Sequence, residues 1–273
     1  MTRVSPIIAV AVIILTGCVS NTAQAQGLLF SLPEDKTGVQ YQGTISQETI
    51  RDDIAEGKEV ITKSREMVIK SVGRENAEFQ GVVQPCRWVE IKTVTGDAGA
   101  AGIVTGPVGS QIYKVLIPES KVIDQPYDSE SVPNIMLPIV KGFRRSGESA
   151  VRPIRSQALA IYPTICQLMF YPELDVVAAS ETPQVVAQNL SFNAKHVKGS
   201  MVMERPESRT TNEAHLWISP EVPFGLARWE VTVTREKKES TATRDSFAEV
   251  STTKSTMSVS AILNNVESEL VTQ

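Results

Sequence analysis

The sequence predicts a β-rich α+β fold, in which an antiparallel sheet carries a few short helices against one face. Hydrophobic residues make up 41% of the 273 residues and charged residues 21%, a balance typical of a globular protein with its own core. Aromatic residues amount to 5%, and Val, Ile, Leu and Thr supply much of the remaining apolar surface, which favours strands over helices. Several segments also alternate between apolar and polar residues and are separated by turn signals, as half-buried strands are.

Residues 1–17 are predicted to be a signal peptide of the lipoprotein type. A positive charge at Arg3 precedes an apolar run that is too short to span a bilayer. The run leads into residues 15–18 (LTGC), which resemble the lipobox of bacterial lipoproteins and mark Cys18 as the predicted lipidation site. Two or more acyl chains such as palmitate would make a stable anchor there. A competing cleavage site after Ala25 would instead release a soluble protein.

With cleavage before Cys18, residues 18–30 are predicted to form a polar tether and residues 31–273 a single β-rich domain. The N-terminal half of this domain is predicted to be a meander. Its sheet should be antiparallel, because parallel neighbours would need long crossover connections. The predicted strands of this half are 39–45, 58–72, 86–95 and 111–117, with a glycine-rich loop at 96–109 between the last two.

The middle of the domain differs in character, because Pro138 and Pro163 interrupt apolar stretches at 134–145 and 156–171. These stretches are predicted to be short helices or irregular plugs over one sheet face, since proline does not fit a helix interior. A short helix is expected to cap the C-terminus. Between them, strands are predicted at 192–204, 213–219, 228–234 and 246–260.

One segment of the C-terminal half resembles a passage of known envelope proteins. Residues 213–233 (EAHLWISPEVPFGLARWEVTV) suggest a strand ending in a W-x-S stretch, then a Pro-Gly turn and a second strand. The same order occurs in lipoprotein carriers with a half-barrel fold, such as LolA and LolB; the matching positions here are Trp217, Ser219, Pro220, Pro223 and Gly225. This resemblance implies a curved, half-barrel-like sheet with helices in its concave face and room for acyl chains. Together with residues 70–96, the segment also resembles uncharacterised exported proteins of planctomycete-type bacteria.

Two cysteines remain beyond the signal region, Cys86 and Cys166. Export would place them in an oxidising compartment, where they could form a disulfide, and two buried thiols are equally compatible with the sequence. Neither cysteine has a histidine or a basic cluster nearby in the sequence that would lower its thiol pKa. No catalytic cysteine is therefore predicted.

The chain carries two histidines, His196 and His215, each within a predicted strand. Their spacing matches no metal-binding or acid–base motif, so both are interpreted as ordinary strand residues and no metal site is predicted. The sequence has no G-x-S-x-G nucleophile elbow, and the loop at 96–109 lacks the glycine patterns of phosphate-binding loops. We therefore expect neither an enzymatic activity nor a cofactor.

A cluster of basic residues lies beside the apolar stretch in the middle of the chain: Lys141, Arg144, Arg145, Arg152 and Arg155. The default interpretation is a solvated loop. The alternative is a patch that rests on anionic lipid headgroups, where each basic residue contributes about 1 kcal/mol. The net charge of −4 argues against a nucleic-acid partner, because affinity for nucleic acid depends on neutralising phosphates.

Together these features predict a non-enzymatic lipoprotein on the periplasmic side of the bacterial cell envelope, held at the membrane by the lipid on Cys18. The domain would bind lipid, another hydrophobic ligand or an envelope protein. The alternative is a secreted or anchored structural or protein-interaction module without a ligand cavity. Cleavage after Ala25 would give a soluble periplasmic or secreted form.

Overall fold

Strands account for nearly all of the regular structure in the described residues. The computed structural model describes residues 29–55, 57–100, 102–123, 137–155, 158–159, 166–169, 171, 174–177, 184–187 and 190–271. The helical elements whose bounds it describes are single turns, α1 (Ser120–Ile123) and a 3-10 turn at Arg244–Ser246. The strands are β1 (Thr37–Ile50), β2 (Lys58–Phe79), β3 (Val82–Gly99), β4 (Gly102–Pro118), β5 (Leu137–Pro138), β6 (Lys141–Ser146), β7 (Arg152–Pro153), β8 (Ala158–Leu159), β9 (Leu174–Val176), β10 (Gln184–Ala187), β11 (Leu190–Asn193), β12 (Lys195–Arg205), β13 (Ser208–Ile218), β14 (Leu226–Lys237) and β15 (Ala248–Asn264).

The predicted α+β class is therefore wrong, and the described fold is all-β. Where helices or plugs were expected at 134–145, the described residues form β5 and β6. Pro138, one of the two prolines that suggested a break, lies instead in the two-residue strand β5, whereas Pro163 lies outside the described residues. Pro153 belongs to β7 at the margin of the large sheet, where a missing N–H costs little. Residues 265–271 follow β15 without forming the expected C-terminal helix. Most of the stretch 156–171 lies outside the described residues.

Eleven strands form one open antiparallel sheet in the order β7-β6-β4-β3-β2-β1-β15-β14-β13-β12-β9. The order contains two meanders, β1 to β4 and β12 to β15, each of which brings sequential strands side by side. The first and last long strands of the chain join them, because β1 pairs with β15 from Thr37↔Asn264 to Thr49↔Ser251. Two small sheets, β10-β11 and β5-β8, accompany the large one.

The predicted glycine-rich loop at 96–109 is instead an extension of the sheet. β3 continues to Gly99, β4 begins at Gly102, and the two strands pair up to Gly99↔Gly102. Gly96 permits this close pairing, since a Cβ at that position would lie 2.1 Å from the Val104 carbonyl oxygen. Gly96 thus serves the close approach of two backbones, and the prediction of a loop over the whole of 96–109 is wrong.

One face of the sheet, which we call the core face, carries the hydrophobic core. Successive side chains of a strand point to opposite faces of the sheet, and residues that pair across neighbouring strands share a face. Tyr41 on β1 lies opposite Met67 on β2 and Val259 on β15, and all three are fully or almost fully buried. Segments outside the large sheet cover this face, including Leu168, Tyr171 and Phe192.

Tyr171 packs directly on the core face at Gly199 of β12. A Cβ at position 199 would lie 2.6 Å from the Tyr171 ring, so the missing side chain provides the space for the ring. The Tyr171 hydroxyl donates a hydrogen bond of 2.7 Å to Asn212 Oδ1, and the Asn212 amide donates one of 2.7 Å to the Gln167 carbonyl oxygen. These contacts fix the covering segment to β12 and β13.

The opposite, outer face is covered on one side by residues 265–271, which we call the C-terminal segment. The carboxylate of Glu90 on β3 is buried and accepts hydrogen bonds from the Ser268 hydroxyl at 2.7 Å, from the Glu269 N–H at 3.0 Å and from the Leu270 N–H at 3.1 Å. Lys70 lies between Glu90 and Glu269, with ion-pair distances of 3.4 and 2.7 Å. The same face over β12 to β14 has no such cover among the described residues.

The packed domain begins before the predicted boundary at residue 31. Leu29 is buried in the core, and the Phe30 N–H donates a hydrogen bond of 2.9 Å to the Phe224 carbonyl oxygen. Phe224 belongs to the turn between β13 and β14, where the Ser219 N–H donates to the Gly225 carbonyl oxygen at 2.9 Å. Leu29 and Phe30, assigned to the tether from the sequence, thus belong to the folded domain.

Candidate functional site

The only two histidines of the chain meet on the outer face of the sheet. β12 and β13 are joined by a two-residue turn at 206–207 and pair with Lys198 opposite His215 and His196 opposite Trp217. His196 and His215 are therefore diagonal neighbours on one face. Their ring nitrogens, Nε2 of His196 and Nδ1 of His215, are 3.0 Å apart. The interpretation of both histidines as unconnected strand residues misses this pair.

A row of stacked side chains holds the His196 ring in place. The His196 and Trp217 rings are stacked, with centroids 4.2 Å apart and an interplanar angle of 6°. Trp217 pairs with Arg228 of β14, and the Arg228 guanidinium lies 4.9 Å from the centroid of the Trp217 ring. Arg228 also forms an ion pair with Glu230, which lies opposite His215. The row places one imidazole against a rigid aromatic surface.

The surroundings of His196 favour its neutral form. Partial burial is the largest cause that lowers the pKa of His196 below its ordinary value, and the neighbouring His215 and Arg228 lower it further. Glu230 acts in the opposite direction, because a carboxylate stabilises the imidazolium. The net shift is downward, so His196 presents a neutral imidazole at neutral pH.

An open depression of about 540 Å³ adjoins the histidine pair on the outer face. Apart from Gly199 and Ala214, the residues that line it come from β9, β12, β13 and β14 and are polar or charged: Asp175, Lys198, Ser200, Glu213, His215, Glu230 and Thr232. A smaller depression on the same face, of about 270 Å³, is lined by Ser46, Glu48, Glu249, Thr252 and Lys254. Both depressions are suited to polar groups and lack the apolar lining typical of a site for an acyl chain.

Within the part of the chain that the structure describes, no group of three or more His, Cys, Asp or Glu side chains is arranged to hold a metal ion. The strongest candidate ligands are the two imidazoles, with Glu230 in the same depression as His215. The carboxylate of Glu230 is already paired with Arg228. The chemistry of the site is therefore that of an imidazole pair in a polar depression.

The five basic residues, for which a headgroup patch was the alternative to a solvated loop, do not form one surface. Lys141 and Arg145 share a face of β6 with Phe143, whereas Arg144 points to the opposite face because strand side chains alternate. Arg152 lies opposite Arg144 on β7 and shares its face, and Arg155 follows β7. Lys141 also forms an ion pair with Glu75, with 2.7 Å between Lys141 Nζ and Glu75 Oε1. The spacing along the sequence did not show this division, because four of the five residues lie on two strands, β6 and β7.

The two cysteines of the domain lie in different surroundings, and no disulfide joins them in the described structure. Cys86 on β3 donates a hydrogen bond of 3.4 Å to the Gln84 carbonyl oxygen. Cys166 lies in the core, where burial raises the pKa of its thiol to about 12. Such a thiol is not a nucleophile at neutral pH.

The predicted signal peptide and the lipidation site Cys18 lie outside the described residues. Of the helical segments that the structure does describe, none has the length and apolar character needed to cross a membrane. The anchoring prediction therefore depends on the sequence of residues 1–18 alone.

Comparison with known proteins finds no matching family model and no matching curated protein. The chain is assigned to no family. One similar solved structure, from Bacteroides fragilis, is inferred to be an exported protein and has a YmcC-like fold; it is 13% identical, with 86% of this chain and 99% of that chain covered and a TM-score of 0.29. Another, from Parabacteroides distasonis, is inferred to be a lipoprotein; it is 12% identical, with 87% and 100% covered and a TM-score of 0.32.

TM-scores this low carry neither fold nor function from those proteins to this chain. The resemblances to LolA and LolB and to planctomycete-type exported proteins stay predictions from the sequence. The helices that the half-barrel resemblance implied against one sheet face are contradicted by the all-β fold.

Proposed function

We propose that this chain is a non-enzymatic lipoprotein of the bacterial cell envelope that acts as a structural or protein-interaction module. The observation that carries this proposal is the contrast between the two sheet faces. The core face is packed with fully buried side chains, among them Tyr41, Met67 and Trp229, whereas the outer face over β12 to β14 presents polar groups to solvent. Such a molecule offers a surface for a partner rather than an interior for a ligand.

The hypothesis of a carrier for lipid or another hydrophobic ligand receives less support. A carrier needs a concave, mostly apolar pocket that buries its ligand. The depressions beside His215 and beside Glu48 are instead polar. Among the described residues of the core face, Tyr41 and Trp229 contact each other, with ring centroids 4.8 Å apart.

Native mass spectrometry tests the choice between the two modes of action. We expect the Cys18→Ala form, which lacks the covalent lipid, to show the mass of the bare chain or of a complex with a protein. Wild-type protein measured in parallel gives the mass added by acylation. A stoichiometric, non-covalent lipid on the Cys18→Ala form would contradict the proposed module and restore the carrier hypothesis.

Substitution of Cys18 tests the anchor separately. We expect wild-type protein to fractionate with membranes and to carry acyl chains, and Cys18→Ala to become soluble, because each buried methylene contributes about 0.8 kcal/mol to membrane binding. The measurements are cell fractionation and mass spectrometry of the mature N-terminus. Substitution of Cys86, which lies in the folded domain, is the matched control and should leave the membrane fraction unchanged. An unmodified wild-type chain beginning at Gln26 would refute lipidation.

A further inference from the structure

The two histidines on the outer face form a preformed pair of nitrogen ligands. His196 Nε2 and His215 Nδ1 are 3.0 Å apart, and both rings lie at the solvent-facing side of the sheet. At this distance one nitrogen can donate a hydrogen bond to the other, and the tautomers of the two rings decide which one donates. A metal ion beside the line that joins the two nitrogens can replace that proton if the His215 ring turns so that both lone pairs reach the ion.

The separation of the nitrogens indicates which coordination geometry fits. With metal–nitrogen bonds of about 2.0–2.1 Å, ligands at a right angle lie about 2.9 Å apart, and ligands at the tetrahedral angle lie about 3.3 Å apart. The observed 3.0 Å is closer to the right angle. Adjacent ligands at right angles are typical of square-planar and tetragonal complexes, which Cu²⁺ and Ni²⁺ prefer when the ligands are nitrogen and oxygen.

The protein fixes one ligand and leaves the other adjustable. The His196 ring is stacked on Trp217 and cannot turn without losing that contact. His215 is exposed, so its ring can rotate to direct its lone pair towards an ion on the solvent side. Glu230 lies opposite His215 on β14 and lines the same depression, but its carboxylate is paired with Arg228. Water would therefore occupy the remaining positions.

We propose that His196 and His215 together bind one divalent transition-metal ion of tetragonal preference, Cu²⁺ before Ni²⁺, on the outer face of the sheet. Cu²⁺ should bind more tightly than Ni²⁺ or Zn²⁺, because affinity for nitrogen ligands peaks at copper in the first-row series. Two imidazoles completed by water make an open site, which an incoming oxygen or nitrogen ligand can enter.

The test is a titration of the full chain, produced without an affinity tag and stripped of metal, with CuSO₄. We expect isothermal titration calorimetry to give one Cu²⁺ per chain, and electron paramagnetic resonance to show an axial signal with coupling to two nitrogens. His215→Ala should weaken Cu²⁺ binding by at least about tenfold, which is the lower end of what the loss of a supporting residue costs at metal sites. His196→Gln should have a similar effect.

Thr232→Ala is the matched control, because Thr232 lines the same depression without being one of the two ligands. It should retain the affinity and the two-nitrogen signal. Circular dichroism of each variant reports whether it folds. If His196→Gln unfolds, His215→Ala decides the test, because His215 is exposed and its replacement should leave the fold intact. Cu²⁺ binding of equal affinity and unchanged nitrogen coupling in His215→Ala would overturn the proposal, as would the absence of binding to the wild type.

Discussion

Replacement of Trp229 by alanine is expected to lower the free energy of unfolding by about 3–5 kcal/mol, the range for removing a large aromatic side chain from a core. Trp229 is fully buried on β14 and meets the Tyr41 ring of β1 edge to face, with centroids 4.8 Å apart. The Tyr41 hydroxyl donates a hydrogen bond of 2.8 Å to the Leu226 carbonyl oxygen. This cluster therefore connects the two meanders across the β1–β15 junction, and its loss should weaken the whole sheet. Urea denaturation followed by circular dichroism measures the effect.

The matched control is Trp88→Ala. Trp88 is half-buried on the outer face, where it stacks on Phe143 with centroids 6.2 Å apart. Its replacement leaves no enclosed cavity, so its cost should be clearly smaller than that of Trp229→Ala. Trp229→Phe should recover part of the loss, because it keeps an aromatic ring and removes an indole N–H that is buried without a hydrogen-bond partner among the described atoms. Equal destabilisation by Trp88→Ala and Trp229→Ala would contradict this account of the core.

Replacement of Glu90 by alanine is the second change with a large expected effect, again about 3–5 kcal/mol, because it removes one partner of a buried ionic network. Its carboxylate accepts hydrogen bonds from Ser268, Glu269 and Leu270, and Lys70 lies 3.4 Å away. Without Glu90 these donors lose their acceptor, and the C-terminal segment should leave the outer face. The loss of stability is measured by urea denaturation.

Cleavage by the glutamate-specific protease Glu-C distinguishes release of the C-terminal segment from general loss of stability. In Glu90→Ala, cleavage after Glu267 and Glu269 should be faster under native conditions, whereas the rest of the sheet stays resistant. Glu90→Gln keeps one carbonyl oxygen as an acceptor and should show an intermediate rate. Glu48→Ala is the control, since Glu48 pairs with Lys58 on the surface, far along β1 from this network, and exposed ion pairs contribute at most about 1 kcal/mol. A cleavage rate unaffected by Glu90→Ala would show that other contacts hold the segment.

Much of the strand content could be predicted from local patterns. The alternation around Val39, Ile91 and Trp229 identifies strands, because residues of one face recur at every second position. The turn at 219–225 could also be predicted, since Pro220, Pro223 and Gly225 favour a chain reversal. In the structure Gly225 adopts a positive φ of 86°. The helices expected at 134–145 are wrong because proline excludes a helix interior and is equally compatible with a short strand at a sheet margin.

The histidine pair was missed because its existence depends on register. The strands predicted at 192–204 and 213–219 leave the pairing between them open, whereas the two-residue turn at 206–207 sets Lys198 opposite His215. A shift of one residue would have put one imidazole on the core face. Pro206, a favoured first residue of a tight turn, was the signal that could have found it.

By itself the sequence predicted an export signal, and it determined the strand-rich composition and the N-terminal meander, because these depend on neighbours within a few residues of one another. Only the tertiary structure decided that β1 and β15 join the meanders and that Glu90 holds the C-terminal segment. It also divided the basic cluster between two faces and brought His196 to His215. Each of these features depends on strand register or on contacts between residues that are distant in the sequence. Local apolar periodicity predicts which face of the sheet a side chain occupies, but it does not predict which residue lies opposite on the neighbouring strand.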